Sequence, residues 1–359
     1  MQGPADLSTA VPPPPRPSLA PPREIRRSMN FALFLASVAW YTCARALAGS
    51  AASGFGVRFG LADYQPLMRS LCLLFLVVSG LLFLQVLERG TTSPRAAFGL
   101  PERLTSGREW ATGAALGWGL SVASVLPLVL TRNLSVQVWM APRAFLLMGI
   151  GLASLAASTL AIVLALYGFG LQRLIESIGS TRATLAVIGV VAIHASLTST
   201  PAGTADGARI VVAILSALLL CVCWVRTRAA WAGWGVYFAW ATSTALLFGL
   251  PVGGRTDYMS VIGSRAFGPV WLSGGDYGPT DAAFSIILLL AAIAVLVRIT
   301  DDFAWEYTRR PIVAAGYPVD IPPPAAHAEV ERTEAAKPPA LVQILPATPP
   351  PPPAPGREP

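Results

Sequence analysis

Long apolar stretches separated by short polar ones dominate the middle of the chain. Eight approach the roughly 20 residues that a helix needs to cross a hydrocarbon core. They lie at about 30–49, 67–87, 110–131, 144–167, 183–199, 208–225, 230–250 and 281–299. The runs are continuous rather than alternating, so they predict helices that satisfy their own backbone in lipid, not barrel strands. The expected fold class is all-α: a polytopic membrane bundle of about eight transmembrane helices. Residues 251–280, rich in Gly, Ser and Asp, read as a loop between the last two spans.

The ends have a different texture. Of 32 prolines, 8 lie in residues 1–22 and 15 in residues 311–359. Residues 1–29 and 300–359 therefore read as disordered proline-rich tails, more often spacers than ligands for proline-binding domains. No charged-then-apolar stretch ending at a cleavage site opens the chain, so a signal peptide is not expected. Composition agrees with the pattern: 54% of the 359 residues are hydrophobic and 13% charged, against roughly 25% charged in a soluble protein. A soluble enzyme, a coiled coil and a disulfide scaffold are excluded.

The net charge of +7 is carried by arginine, with Lys337 the one lysine. The arginines sit in short clusters between apolar runs and do not alternate with aromatics, so no nucleic-acid partner is expected. Their distribution orients the bundle. With the N-terminus inside, 15 arginines fall in cytoplasmic segments and 7 in the opposite loops: Arg58, Arg69, Arg132, Arg143, Arg209, Arg255 and Arg265. The expectation is an integral protein of a bacterial cell membrane with both termini cytoplasmic. Tryptophans near span ends, such as Trp110, Trp231 and Trp271, read as an interfacial belt. Small residues four apart in the third span (Gly113, Gly117) and the fourth (Gly149, Ala153, Ala157) predict close helix approach.

Ionisable residues within spans are the default functional pointers, because lipid makes them expensive. Arg45 lies about one turn from the end of the first span and reads as a snorkelling anchor. His194 lies within the fifth. No Asp or Glu falls in a span interior; Glu176 and Asp281 sit at span ends or in loops. A proton-relay transporter, a metal centre and a paired-carboxylate protease all lack their parts here, so no cofactor and no metal are expected. Cys43, Cys72, Cys221 and Cys223 all fall in apolar runs and read as small buried residues.

Four stretches between about residues 97 and 299 carry a family resemblance. They are Phe98-Gly99-Leu100-Pro101 with Arg108-Glu109-Trp110; Tyr167-Gly168-Phe169-Gly170-Leu171-Gln172-Arg173-Leu174; Gly235 to Ala241 with Phe248-Gly249-Leu250-Pro251-Val252-Gly253-Gly254; and Gly268-Pro269-Val270-Trp271-Leu272-Ser273-Gly274-Gly275 with Gly278-Pro279. In order and spacing they resemble the CPBP family of intramembrane endopeptidases, which includes type II CAAX prenyl endopeptidases and bacteriocin-processing enzymes. The resemblance implies a water activated by glutamate and oriented by histidine and asparagine, acting on prenylated or membrane peptides. It places the catalytic motifs on seven positions. The two glutamate positions hold Ile162 and Val163, and the arginine position holds Tyr167. Val190 stands for phenylalanine, His194 is kept, and Tyr237 and Ala241 stand for the last histidine and asparagine. A water without its base loses orders of magnitude in rate. The expected function is that of a catalytically impaired family member, a membrane scaffold or binding protein, with Tyr167, His194 and Tyr237 as the residual pocket. Those three residues read more readily as an internal network in which His194 bridges two tyrosine hydroxyls. The alternatives are an active CAAX-type protease with a divergent site around His194, and a small-solute or lipid transporter.

Overall fold

A computed structural model describes residues 23–88, 93–198, 205–258 and 260–300. The proline-rich tails fall outside the described residues, except for residues 23–29, which are helical, and Thr300. Within them the chain is a helical bundle. The long helices are α1 (Arg23–Phe59), α2 (Gln65–Glu88), α4 (Ser106–Leu130), α5 (Pro142–Ile162), α7 (Ser180–Thr198), α8 (Ala205–Thr227), α9 (Trp231–Thr242) and α11 (Ala283–Ile299). Shorter helices are α3 (Pro94–Ala97), α6 (Leu171–Ile178) and α10 (Val270–Ser273). Six helical stretches are long and apolar enough to cross a membrane; α11 is apolar but shorter, at 17 residues. The protein is therefore an all-α membrane protein. The stretch expected at 230–250 forms the 12 residues of α9 and a π-helical continuation, Ser243–Leu247.

Two differences from the sequence reading have clear causes. The fourth span does not stop at residue 167. It runs through a π-helical stretch, Val163–Gly170, into α6, and one helix covers Pro142–Ile178. It ends at Gly179, whose φ of 88° only glycine adopts readily. Arg173 is thus not a loop residue. It is buried, and its Nη1 donates to Glu88 Oε1 at 2.7 Å, while Asn30 donates to Glu176 at 3.0 Å. This buried charge is tolerated because carboxylates surround it. Second, residues 251–280 are not plain loop. β2 (Ile262–Ala266) pairs antiparallel with β1 (Leu134–Val138), the segment between α4 and α5, in register Leu134 to Ala266. The ribbon marks one end of the bundle, where α1, α4, α7 and α9 finish and α2, α5, α8 and α11 begin.

The glycine expectations divide. At Gly113 and Gly117 a Cβ would overlap the carbonyl oxygens of Ala232 and Val236, and one at Gly235 would overlap that of Trp110. Helices α4 and α9 cross backbone to backbone. Gly149 has open space around it and Ala153 is exposed, while Ala157, the third residue of that stripe, is buried. Helix α5 meets α2 instead through Ser154, whose hydroxyl lies 2.8 Å from that of Ser70. Cys221 and Cys223 are fully buried, but Cys43 is exposed and Cys72 half-buried.

Candidate functional site

A cavity of about 470 Å³ opens in the ribbon half of the bundle. Helices α1, α2, α5, α7, α8 and α9 and the π-helical stretch line it. The π-helical stretch presents Tyr167, and π-turns recur at functional sites because they re-aim a side chain. Helix α7 presents His194 and α9 presents Tyr237, so the three residues singled out from sequence share one cavity. Ile162, Val190 and Ala241 line it too, which leaves Val163, buried in the core, outside it. The expected bridge between the tyrosines is not formed. His194 Nε2 lies 2.9 Å from Arg45 Nη1. A guanidinium only donates, so Nε2 accepts and this nitrogen carries no proton.

Arg45 thus has a partner within the protein. It and His194 are both exposed at a seam where α1 and α7 approach. Helix α1 packs on α2 and α6, while α7 packs on α6 and α8.

Four residues that the sequence reading left out of the site complete it. Arg69 on α2, Arg209 on α8, Arg255 and Asp281 all line the cavity. Asp257 holds two of the arginines, Arg69 at 3.4 Å and Arg255 at 2.6 Å. Arg209 donates to the Thr198 carbonyl and hydroxyl, each at 3.2 Å, and stacks over Tyr277 at 4.5 Å. Asp281 accepts from the Gly253 amide at 3.2 Å. Burial pushes its carboxyl up to about 6, against the pull of the Arg209 guanidinium and the Gly253 and Thr280 donors. The indole N–H of Trp240, another lining residue, is buried without a hydrogen-bond partner among the described residues. Apolar walls come from Leu73, Leu166, Val191 and Leu220.

A signal for these arginines was present in the sequence. Arg69, Arg209 and Arg255 are three of the seven arginines that the positive-inside expectation leaves in the arginine-poorer loops. The chemistry at hand is anion recognition by guanidinium groups, with one carboxyl able to exchange a proton near neutral pH. No three His, Cys, Asp or Glu side chains gather as metal ligands would among the described residues.

Searched against protein-family models, curated proteins and solved structures, the chain matches none.

Proposed function

We propose that this chain is a CPBP-type membrane protein that binds in its cavity rather than cleaving there. The observation supporting this is the meeting of six of the seven family positions around one cavity, with an aliphatic residue, Ile162, where that family's chemistry needs a carboxylate. In this reading α9 with its π-helical continuation and α11 complete eight crossings of a bacterial cell membrane, with both chain ends cytoplasmic. The ribbon and the mouth of the cavity then face outward. Its partners are the bilayer and a membrane or prenylated peptide that is held without being cut, which makes the protein a scaffold or regulatory pseudoenzyme.

The test uses a fluorogenic prenylated CAAX peptide and the purified full chain. The expected result is saturable binding with no cleavage. Cleavage abolished by His194→Ala would overturn it. The double substitution Ile162→Glu with Val163→Glu probes the same point from the other side, because it restores the two missing carboxyls.

A second reading has one observation in its favour. Asp281 lines the cavity with its carboxyl raised to about 6, the range in which a general base works near neutral pH. A peptidase with a divergent site around His194 would use it. Cleavage lost in both Asp281→Asn and His194→Ala would establish that reading.

A further inference from the structure

The β1–β2 ribbon has two edges, and the fold treats them differently. Its register sets Leu134 against Ala266 and Val136 against Ser264. Bonds at its two ends fix which residues face inward. The Phe267 N–H donates to the Asn133 carbonyl and the Trp139 N–H to the Val261 carbonyl, each at 2.8 Å. In an antiparallel ladder, hydrogen-bonded pairs alternate with non-bonded ones. Ser135 and Gln137 therefore turn their N–H and C=O groups toward β2, while Leu134, Val136 and Val138 turn theirs away. On the outer side of β2, the Ser264 N–H donates to the Gly249 carbonyl at 3.0 Å. On the outer side of β1, no strand or loop among the described residues takes up the N–H and C=O groups.

Natural proteins blunt such an edge with charge, proline, a bulge or a covering segment. β1 has none of these. Leu134-Ser135-Val136-Gln137-Val138 carries no charge and no proline, and it pairs with β2 residue for residue. Val136 and Val138 are half exposed. A row of alternating donors and acceptors fits an extended backbone. This strand is also complementary to itself. Set antiparallel to a copy about Val136, every outward-facing residue meets another: Val136 meets the partner's Val136, and Leu134 meets the partner's Val138. Ser135 falls opposite the partner's Gln137, and Arg132, just before the strand, falls opposite the partner's Met140. No like charges oppose, and the apolar pairs lie on one face, where cross-strand contacts of this kind favour pairing.

We propose that β1 is the contact between two copies of this chain. The two ribbons join edge to edge into one four-stranded antiparallel sheet, in the order β2-β1-β1-β2, about a two-fold axis through Val136. The contact is isologous and closes at two copies. The sheet then ends on both sides at β2, whose outer edge Gly249 already engages. This inference goes beyond the binding reading and does not depend on it.

Cysteine crosslinking of the full chain in native membranes tests this, with Cys43 and Cys72 replaced by serine and the buried Cys221 and Cys223 kept. At a hydrogen-bonded pair on the axis the Cα atoms lie about 5.5 Å apart, within the roughly 4.4–6.8 Å that a disulfide spans. Val136→Cys should therefore give at least about tenfold more oxidised dimer than Gly149→Cys on the exposed face of α5. A second measurement needs no cysteine. Single-molecule photobleaching of the labelled full chain in lipid vesicles should report two copies per unit. Val136→Pro removes an outward N–H that the β1–β2 ladder does not use, and edge strands accept proline at such a position. It should lower the dimer at least about tenfold, the scale of two lost backbone hydrogen bonds, with the thermal midpoint unchanged. The crosslinking arm alters no ladder bond, so a poorly folding proline variant does not blunt the test. One copy per unit, equal crosslinking at Val136 and Gly149, or a dimer unmoved by Val136→Pro each overturns the proposal. So does a single copy whose Val136→Pro variant loses binding of the membrane peptide, which assigns the edge to a peptide strand.

Discussion

The seam between α4 and α9 and the cavity ringed by α1, α2, α5, α7, α8 and α9 are built from the same apolar alphabet to opposite ends. At the first, Gly113, Gly117 and Gly235 let two backbones touch, and a hydroxyl pair, Ser121 with Thr244 at 2.8 Å, satisfies itself within it. At the second, large side chains hold the helices apart around about 470 Å³, and four arginines and one carboxyl line the space. Without a hydrophobic drive between helices in lipid, association relies on close packing and on polar contacts. A bundle that packs one seam tightly can leave another open and still hold together.

The strongest way to break this comparison is to fill the tight seam. Gly117→Leu places a side chain against the Val236 carbonyl and the Trp240 amide. Backbone cannot give way as a side-chain tip can, so the cost exceeds the about 1–3 kcal/mol of ordinary overpacking. The expected outcome is loss of the monodisperse species in fluorescence-detected size exclusion. A well-folded variant with an unchanged melting profile would show that α4 and α9 are not in backbone contact.

The arginines give a second, smaller contrast. Arg173 is buried and balanced by Glu88 and Glu176, so it belongs with the closed parts of the bundle. Arg173→Ala strands Glu88 and should destabilise by about 3–5 kcal/mol, read as a lowered thermal midpoint in detergent. Glu88→Gln with Arg173→Met, which removes both charges, should recover most of that loss. The cavity arginines are more exposed than Arg173, so removing one should cost far less stability. Equal losses at Arg209→Gln and Arg173→Ala would erase the distinction.

How far the sequence reached follows the same division. The apolar runs located the helices well, because lipid leaves a continuous apolar stretch only one backbone solution. They missed the ribbon, since Leu134–Val138 and Ile262–Ala266 are short and are held by each other across more than a hundred residues. They also missed the passage of α5 into α6, because a π-helical stretch keeps the same apolar composition as the helix it interrupts. Tyr167, His194 and Tyr237 were singled out on family spacing, and they line one cavity. Arg69, Arg209, Arg255 and Asp281 were not, because each looked like an interfacial or loop residue. Their convergence depends on helix rotation and loop return, which a hydropathy pattern does not encode.

Asp281 sharpens the comparison from inside the cavity. Its carboxyl ordinarily loses its proton near 3.8 and here is held up to about 6. The folded protein therefore keeps the proton more tightly than the unfolded chain. The resulting stabilisation is full below about pH 4 and is lost as pH rises through 6. The thermal midpoint should fall between about pH 4 and 6 and level off above. Asp281→Asn keeps an acceptor for the Gly253 amide but removes the charge, so it should flatten that slope. Above pH 6 it should stabilise by about 1–2 kcal/mol, a value discounted for water in the cavity. It should also tighten anion binding. A slope that survives the substitution would place the titrating group elsewhere.

The smallest expected effect is the most informative about reading such sequences. Gly149 and Gly117 are both helical glycines with a small residue four positions away, and the pattern does not separate them. In the structure a Cβ at Gly149 meets nothing within 4 Å, while at Gly117 it meets backbone. Gly149→Leu should therefore leave the fold intact. It exchanges a poor helix former for a good one, a gain of up to about 1 kcal/mol, and faces the side chain away from the bundle. The two substitutions are chemically identical, so the difference between their melting profiles reports helix contact alone. If Gly149→Leu proved as damaging as Gly117→Leu, the exposed face of α5 would be covered by something, and a second copy of this chain would be the first partner to test by crosslinking at that position.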